Sequence, residues 1–158
     1  MLIVFTDKEI QSDALISRAV KEYCEFYGVD NFDFIIERAE GKKPRLNPEK
    51  LFFNVSHSNS RTVCAVSDKN VGIDIQYNDS KIDFEAISEK YLGEKIIDIK
   101  TFYEYYAKAE ATAKLEDSEL VKKLKIADNG GQIIKAFKDY TLAVNSIDTS
   151  VYLMELYD

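Results

Sequence analysis

The sequence predicts an α+β fold in which two similar halves each combine a helix with antiparallel strands. Three observations predict it. Two long stretches, residues 9–27 and 97–115, carry apolar side chains at helical spacing. Short runs rich in β-branched and aromatic residues stand next to one another rather than alternating with helices, which argues against a doubly wound α/β sheet. Glycine, proline and asparagine punctuate the boundaries between these segments.

Residues 2–5 open the chain as a strand. Over 9–27, Ile10, Ala14, Leu15, Ala19, Val20, Cys24 and Tyr27 recur on one helical face, and Gly28 is placed to stop the helix. Residues 32–36 form a short aromatic and β-branched run, read as a strand. A loop marked by Gly41, Pro44 and Pro48 follows. Strands are then expected at 51–55, 62–66 and 71–77, the last two joined by Ser67-Asp68-Lys69-Asn70 as a hairpin turn. Residues 84–92 read as a helix ended by Gly93, 97–115 as the long helix and 118–125 as a short helical piece. Asn129-Gly130-Gly131 signals a turn, and strands at 132–137, 140–145 and 151–156 close the second half. The halves divide at 1–70 and 71–158.

A chain of 158 residues is one compact unit, or two small halves sharing a core. Folding at that size hides roughly 70% of the unfolded surface, so neither a disulfide nor a structural metal is required for stability. The hydrophobic and charged fractions, 46% and 31%, are those of a globular domain. The apolar start is too short for a signal sequence and no stretch approaches a membrane span, so a cytoplasmic protein without membrane contact is expected. Cys24 and Cys64 read as two reduced, buried thiols. A net charge of −7 argues against nucleic acid as a partner. That charge is uneven: Lys42, Lys43, Arg45 and Lys50 against Glu49 make residues 41–50 locally +3, leaving −10 elsewhere. A rigid basic loop on an acidic protein is either a solvated surface loop or a seat for a small phosphate-bearing ligand.

The groups able to do chemistry lie further on. In Val71-Gly72-Ile73-Asp74-Ile75-Gln76, alternation puts Asp74 and Gln76 on one face with Gly72, while Val71, Ile73 and Ile75 face the core. A glycine beside two polar groups lets a ligand approach the backbone, although an ordinary exposed sheet face carries the same residue types. On the long helix Tyr106, Glu110 and Lys114 fall one turn apart on one face. They are either a weak surface ion pair or an oxygen ligand and a cation for phosphate; magnesium commonly takes one or two carboxylates together with substrate phosphates and water. His57, the only histidine, sits where a strand turns polar. One histidine and no cysteine cluster argue against zinc, and no nucleophile-elbow pattern supports a Ser-His-Asp triad.

Taken together these segments resemble the 4′-phosphopantetheinyl transferases, of the surfactin-synthetase-activating type with two similar halves in one chain. Gly41-Lys42-Lys43-Pro44 is similar to the family's Gly-Lys-Pro. Phe53-Asn54-Val55-Ser56-His57-Ser58 is similar to its Phe-Asn-x-Ser-His-Ser, and Val71-Gly72-Ile73-Asp74-Ile75 to its Gly-Ile-Asp signature. Tyr106-Ala107-Lys108-Ala109-Glu110-Ala111-Thr112-Ala113-Lys114 is similar to Trp-x-x-Lys-Glu-Ala-x-x-Lys. The motifs stand in the family's order, and four in sequence are specific where one alone is not.

The resemblance implies that family's pseudo-two-fold architecture and an enzyme that moves the phosphopantetheine arm of coenzyme A onto a serine of an apo acyl or peptidyl carrier protein. Adenosine 3′,5′-bisphosphate would be released; the carrier would serve fatty-acid, polyketide or nonribosomal peptide synthesis. It implies Mg²⁺ held by Asp74, Gln76 and Glu110, Lys114 on the pyrophosphate oxygens, and Glu110 or a metal-bound water as acceptor of the serine proton. Lys43, Ser56 and His57 would grip the 3′-phosphate end, with Lys42 and Arg45 beside them. The chain differs from the family pattern in three respects. Gln76 replaces a second acid, Tyr106 and Ala109 replace the tryptophan and lysine, and only Thr6 to Gln11 separate the first strand from its helix, leaving Arg18 as the main basic residue nearby. A relative that binds coenzyme A or a carrier protein without transfer is the alternative. Two halves in one chain favour a monomer.

Overall fold

The computed structural model describes residues 1–93, 95–124 and 130–157. Its elements are β1 (Leu2–Thr6), α1 (Ser12–Tyr27), β2 (Ile35–Glu37), β3 (Arg45–Asn47), β4 (Phe52–Ser58), β5 (Arg61–Ser67) and β6 (Val71–Tyr77), then α2 (Phe84–Leu92), α3 (Ile99–Glu116), α4 (Leu120–Leu124), β7 (Gln132–Ile134), β8 (Tyr140–Ser146) and β9 (Tyr152–Glu155). The fold is α+β. No described helix is long and apolar enough to cross a membrane.

Side-chain alternation explains how the elements stack. Leu2, Val4, Cys64 and Val66 point to one face of the first sheet, order β4-β5-β1-β9, and bury Leu15, Ile16, Ala19 and Val20 of α1 against it. Ile3, Val63 and Ala65 point the other way and meet Val71, Ile73, Ile75, Leu142 and Val144 from the second sheet, order β6-β8-β7. The outer face of that second sheet is covered by α3, whose Ala107 and Ala111 pack on Ala143. The layers therefore run α1, sheet, sheet, α3. In each half three strands make an antiparallel sheet whose third strand lies in the middle: β1, β4 and β5 in the first, where α1 and the β2–β3 pair intervene, and β6, β7 and β8 in the second, where α2, α3 and α4 intervene.

Gly72 permits a close approach of α3 to β6. A Cβ there would lie 2.0 Å from the Ala111 carbonyl oxygen and 2.6 Å from the Leu115 nitrogen. The helix thus rests on bare backbone, and the face of β6 that also carries Asp74 is buried under α3 rather than open to water.

Three expectations need correction. β5 and β6 are not a hairpin: β5 is flanked by β1 and β4, and Ser67–Asn70 carries the chain from one sheet to the other. The hairpin is β4–β5, turned at Asn59 with φ 52°. A short strand, β3, occupies the proline-flanked loop and pairs with β2, with Leu46 buried between exposed neighbours. β9 does not extend the second sheet; it pairs in parallel with β1. The helical piece at 118–125 is α4, its last residue lying outside the described residues, as does Asn129 of the expected turn.

Candidate active site

β6 carries the Asp74 side chain into the interior, where only 2% of it is exposed. A buried carboxylate is costly unless paired and hydrogen-bonded, and this one is both. Lys114 Nζ lies 2.8 Å from Oδ1, the Ser56 hydroxyl donates to Oδ1 at 2.8 Å, and Gln76 Nε2 donates to Oδ2 at 2.7 Å. Lys114 arrives from α3, with Glu110 one turn earlier and Tyr106 two turns earlier. Its ammonium also donates to Ser56 Oγ at 3.0 Å and to the Ile73 carbonyl at 3.2 Å, and lies 4.0 Å from Glu110 Oε1. Four oxygens from β4, β6 and α3 therefore surround one cation.

The two carboxylates share that single ammonium, and the imbalance is felt at Glu110. Burial, then the negative charge of Asp74, push its carboxyl above the ordinary 4.5, against the opposing pull of Lys114 and a hydrogen bond from the Tyr106 hydroxyl. Tyr106 is pushed up to about 12 by burial and by the Glu110 and Asp74 charges, so it remains a protonated donor at neutral pH.

The Asn-x-Ser-x-Ser pattern of β4 has a structural use. Its alternate side chains accept from the edge of β6 that no strand pairs: Ile73 N–H donates to Asn54 Oδ1 at 2.9 Å, Ile75 N–H to Ser56 Oγ at 3.3 Å and Tyr77 N–H to Ser58 Oγ at 2.9 Å. Side chains thus take the place of a neighbouring strand and satisfy an edge that would otherwise be unpaired. Ser56 is consequently buried and engaged on all sides. His57 alternates to the opposite face of β4, the one carrying Phe53 and Val55, and is exposed; it is not brought to Asp74.

The basic loop is the tip of the β2–β3 hairpin. Lys43 reaches over to Asn70 Oδ1 and to the Val71 carbonyl at 3.4 Å; burial holds its ammonium below the usual lysine value, opposed by the charge of Asp117. Lys43 and Lys114 thus contact carbonyls two residues apart on β6, spaced about 7 Å along the strand. Lys42, Lys43, Glu110, Lys114, Asp117 and Glu119 line one cleft of ≈580 Å³. One turn earlier on α3, Tyr106 and Gln76 join Ile82, Ile87, Tyr91 and Phe102 in an apolar cleft of similar size. Arg45 is outside both, near Glu49 and Asp117, and Arg18 donates to the Tyr157 carbonyl.

Sequence reasoning missed two residues of this arrangement. Asn70, taken only as a turn residue, accepts from Lys43 and donates Nδ2 to the Leu115 carbonyl at 2.9 Å. Asp117 caps α3 and meets the basic loop. Only the expected end of the helix pointed to either.

Among the described residues no group of three or more His, Cys, Asp or Glu side chains is placed to hold a metal, so a carboxamide has to complete any set built on Asp74 and Glu110. Those two carboxylates with the Gln76 oxygen form an all-oxygen set of the kind magnesium takes, and the surplus of negative charge favours an added cation. Gln76 fits only after its amide turns, because Nε2 now faces Asp74. No family model and no curated protein matches this chain.

Proposed function

We propose that this chain is a 4′-phosphopantetheinyl transferase acting in the cytoplasm on coenzyme A and an apo acyl or peptidyl carrier protein. The observation that carries the reading is that Asp74, from a strand, and Glu110, from a helix, flank one ammonium, that of Lys114. Glu110 and Lys114 line a cleft rimmed by Lys42 and Lys43, and Asp74 is buried behind them. The ordered motifs support it. So does the recurrence in both halves of a three-stranded antiparallel sheet with its third strand in the middle and helical structure between its first two strands, in keeping with the family's pseudo-two-fold plan.

The chemistry needs a base, fixed cations and a seat for a pyrophosphate. The carrier serine oxygen bonds to the phosphorus that bears the pantetheine arm, and the bond from that phosphorus to the bridging oxygen breaks. Adenosine 3′,5′-bisphosphate departs with the bridging electron pair. Glu110 takes the serine proton, a task for which a carboxyl raised above its ordinary value is better matched near neutral pH. Lys114 faces the transferred phosphoryl group, while Lys43 and Lys42 neutralise the nucleotide end. Asp74, Glu110 and Gln76 would hold Mg²⁺, which supplies further neutralisation of the pyrophosphate when bound. The apolar cleft beside Gln76 and Tyr106 offers the carrier a dry surface next to the reacting centre.

Incubation with coenzyme A, Mg²⁺ and a panel of apo carriers, followed by intact mass measurement of each carrier, tests this reading. A gain of one phosphopantetheine is expected; no gain on any carrier overturns it. One observation favours the second reading, a binder without transfer: Gln76 presents a donor to Asp74 where a ligating oxygen is required. That reading expects coenzyme A to raise the melting temperature while every carrier mass stays unchanged.

A further inference from the structure

The end of α3 holds an aspartate at a position that disfavours it twice. Asp117 closes the helix in the left-handed region, φ 51° and ψ 41°, where glycine or asparagine is the low-cost occupant. Its carboxylate also stands at the negative end of the helix dipole, where a cation is preferred. A residue kept in an unfavourable conformation and an unfavourable field calls for a compensating contact.

That contact is the tip of the β2–β3 hairpin. The Lys43 N–H donates to Asp117 Oδ1 at 3.3 Å, and the Arg45 guanidinium lies 3.8 Å from Oδ2. A two-stranded hairpin is marginal by itself, and the ladder of this one consists of the pairs Ile35–Asn47, Ile36–Leu46 and Glu37–Arg45. Buried Leu46 roots its base in the first core, but the direction of its tip depends on what the tip touches. From the Asp117 contact the Lys43 side chain runs on to Asn70, which in turn holds the Leu115 carbonyl of the same helix end. The loop that bears Lys42 and Lys43 is thereby tied to the helix that bears Glu110 and Lys114.

We propose that Asp117 is a positioning residue. It sets the distance between the cations of the hairpin tip and Lys114, and so matches the cleft to the separation between the nucleotide end and the pyrophosphate of the substrate. It does this through Lys43 and Arg45. This inference rests on the proposed function, since it assigns those cations to coenzyme A.

The substitution Asp117→Gly separates positioning from folding because the two effects have opposite sign. Glycine relieves both the backbone conformation and the dipole conflict, so the melting temperature stays equal or rises. Coenzyme A affinity measured by calorimetry falls at least fivefold. The Lys43 amide, deprived of its acceptor, exchanges with deuterium faster than in the wild type. Asp117→Asn, which tolerates the same conformation and retains an acceptor oxygen, gives an intermediate loss of affinity. Wild-type affinity in Asp117→Gly, or unchanged exchange at Lys43, overturns the proposal. If the wild-type chain binds no coenzyme A, the proposed function fails instead, and the Lys43 exchange rate alone judges the anchor.

Discussion

Replacing Gly72 by alanine is expected to unseat α3. The added Cβ would lie 2.0 Å from the Ala111 oxygen and 2.6 Å from the Leu115 nitrogen, backbone atoms with no rotamer to escape into. Restoring an ordinary 3.4 Å contact requires strand and helix to part by about 1.4 Å. Overpacking of a well-filled interior costs roughly 1–3 kcal/mol, occasionally more, and a clash with backbone on both sides belongs at the upper end. Strand propensity acts in the other direction, favouring alanine over glycine by about 0.5–1 kcal/mol, and is outweighed. With a melting temperature shift of about 2–4 °C per kcal/mol at this chain length, a net loss near 2 kcal/mol lowers it by roughly 4–8 °C. The same displacement carries Glu110 and Lys114 away from Asp74, and a 1 Å misplacement can cost about 10²-fold in rate. Thermal unfolding followed by circular dichroism, with transfer assayed below the transition, measures both. An alanine variant that melts with the wild type and transfers at the wild-type rate would refute the close packing of α3 on β6.

Further consequences can be measured separately. Glu110 binds its proton more tightly in the folded chain than in the unfolded one, so its contribution to stability is present below the ordinary value of 4.5 and is lost as pH rises through the raised value. Glu110→Gln is therefore expected to melt at or above the wild-type temperature at pH 7, and a clear drop there would contradict the assignment. In the proposed mechanism the ionised form takes the serine proton, so the acid limb of the pH–rate profile should lie above that of an ordinary glutamate. Asn54→Ala leaves the buried Ile73 N–H without its acceptor and should cost about 1–3 kcal/mol in chemical denaturation; Ser58→Ala, whose partner N–H is exposed, should cost less. Gln76→Glu is expected to lower the Mg²⁺ concentration needed for half-maximal transfer. An unchanged requirement would place that side chain away from the ion.

Much of this molecule was legible before its structure. Periodicity located α1, α3 and β6, and the alternation around Asp74 correctly sent Val71, Ile73 and Ile75 to the core. Turn chemistry was less informative about partners. Ser67–Asn70 has the composition of a hairpin turn, but composition does not say whether the next strand joins the same sheet, and here it joins another. β3 escaped notice because it buries a single side chain, Leu46, between two prolines. β9 has the pattern of a strand closing the second sheet, yet its pairing with β1 depends on tertiary approach. At the site, residue types identified Asp74, Gln76, Glu110 and Lys114, which do converge. The resemblance also grouped Ser56 with His57, although adjacent strand residues face opposite ways; the alternation that worked on β6 separates them on β4. Asp117 lay beyond reach because its meaning comes from a backbone angle and a loop whose Lys43 approaches from 74 residues away, neither of which local sequence encodes.

The proposed reaction centre is tested most directly by giving wild-type protein and Glu110→Gln the same coenzyme A, Mg²⁺ and apo carrier, and weighing the carrier over time. The account expects the wild type to add one phosphopantetheine. The variant should still gain thermal stability from coenzyme A while leaving the carrier mass unchanged. Transfer by Glu110→Gln at the wild-type rate would contradict it.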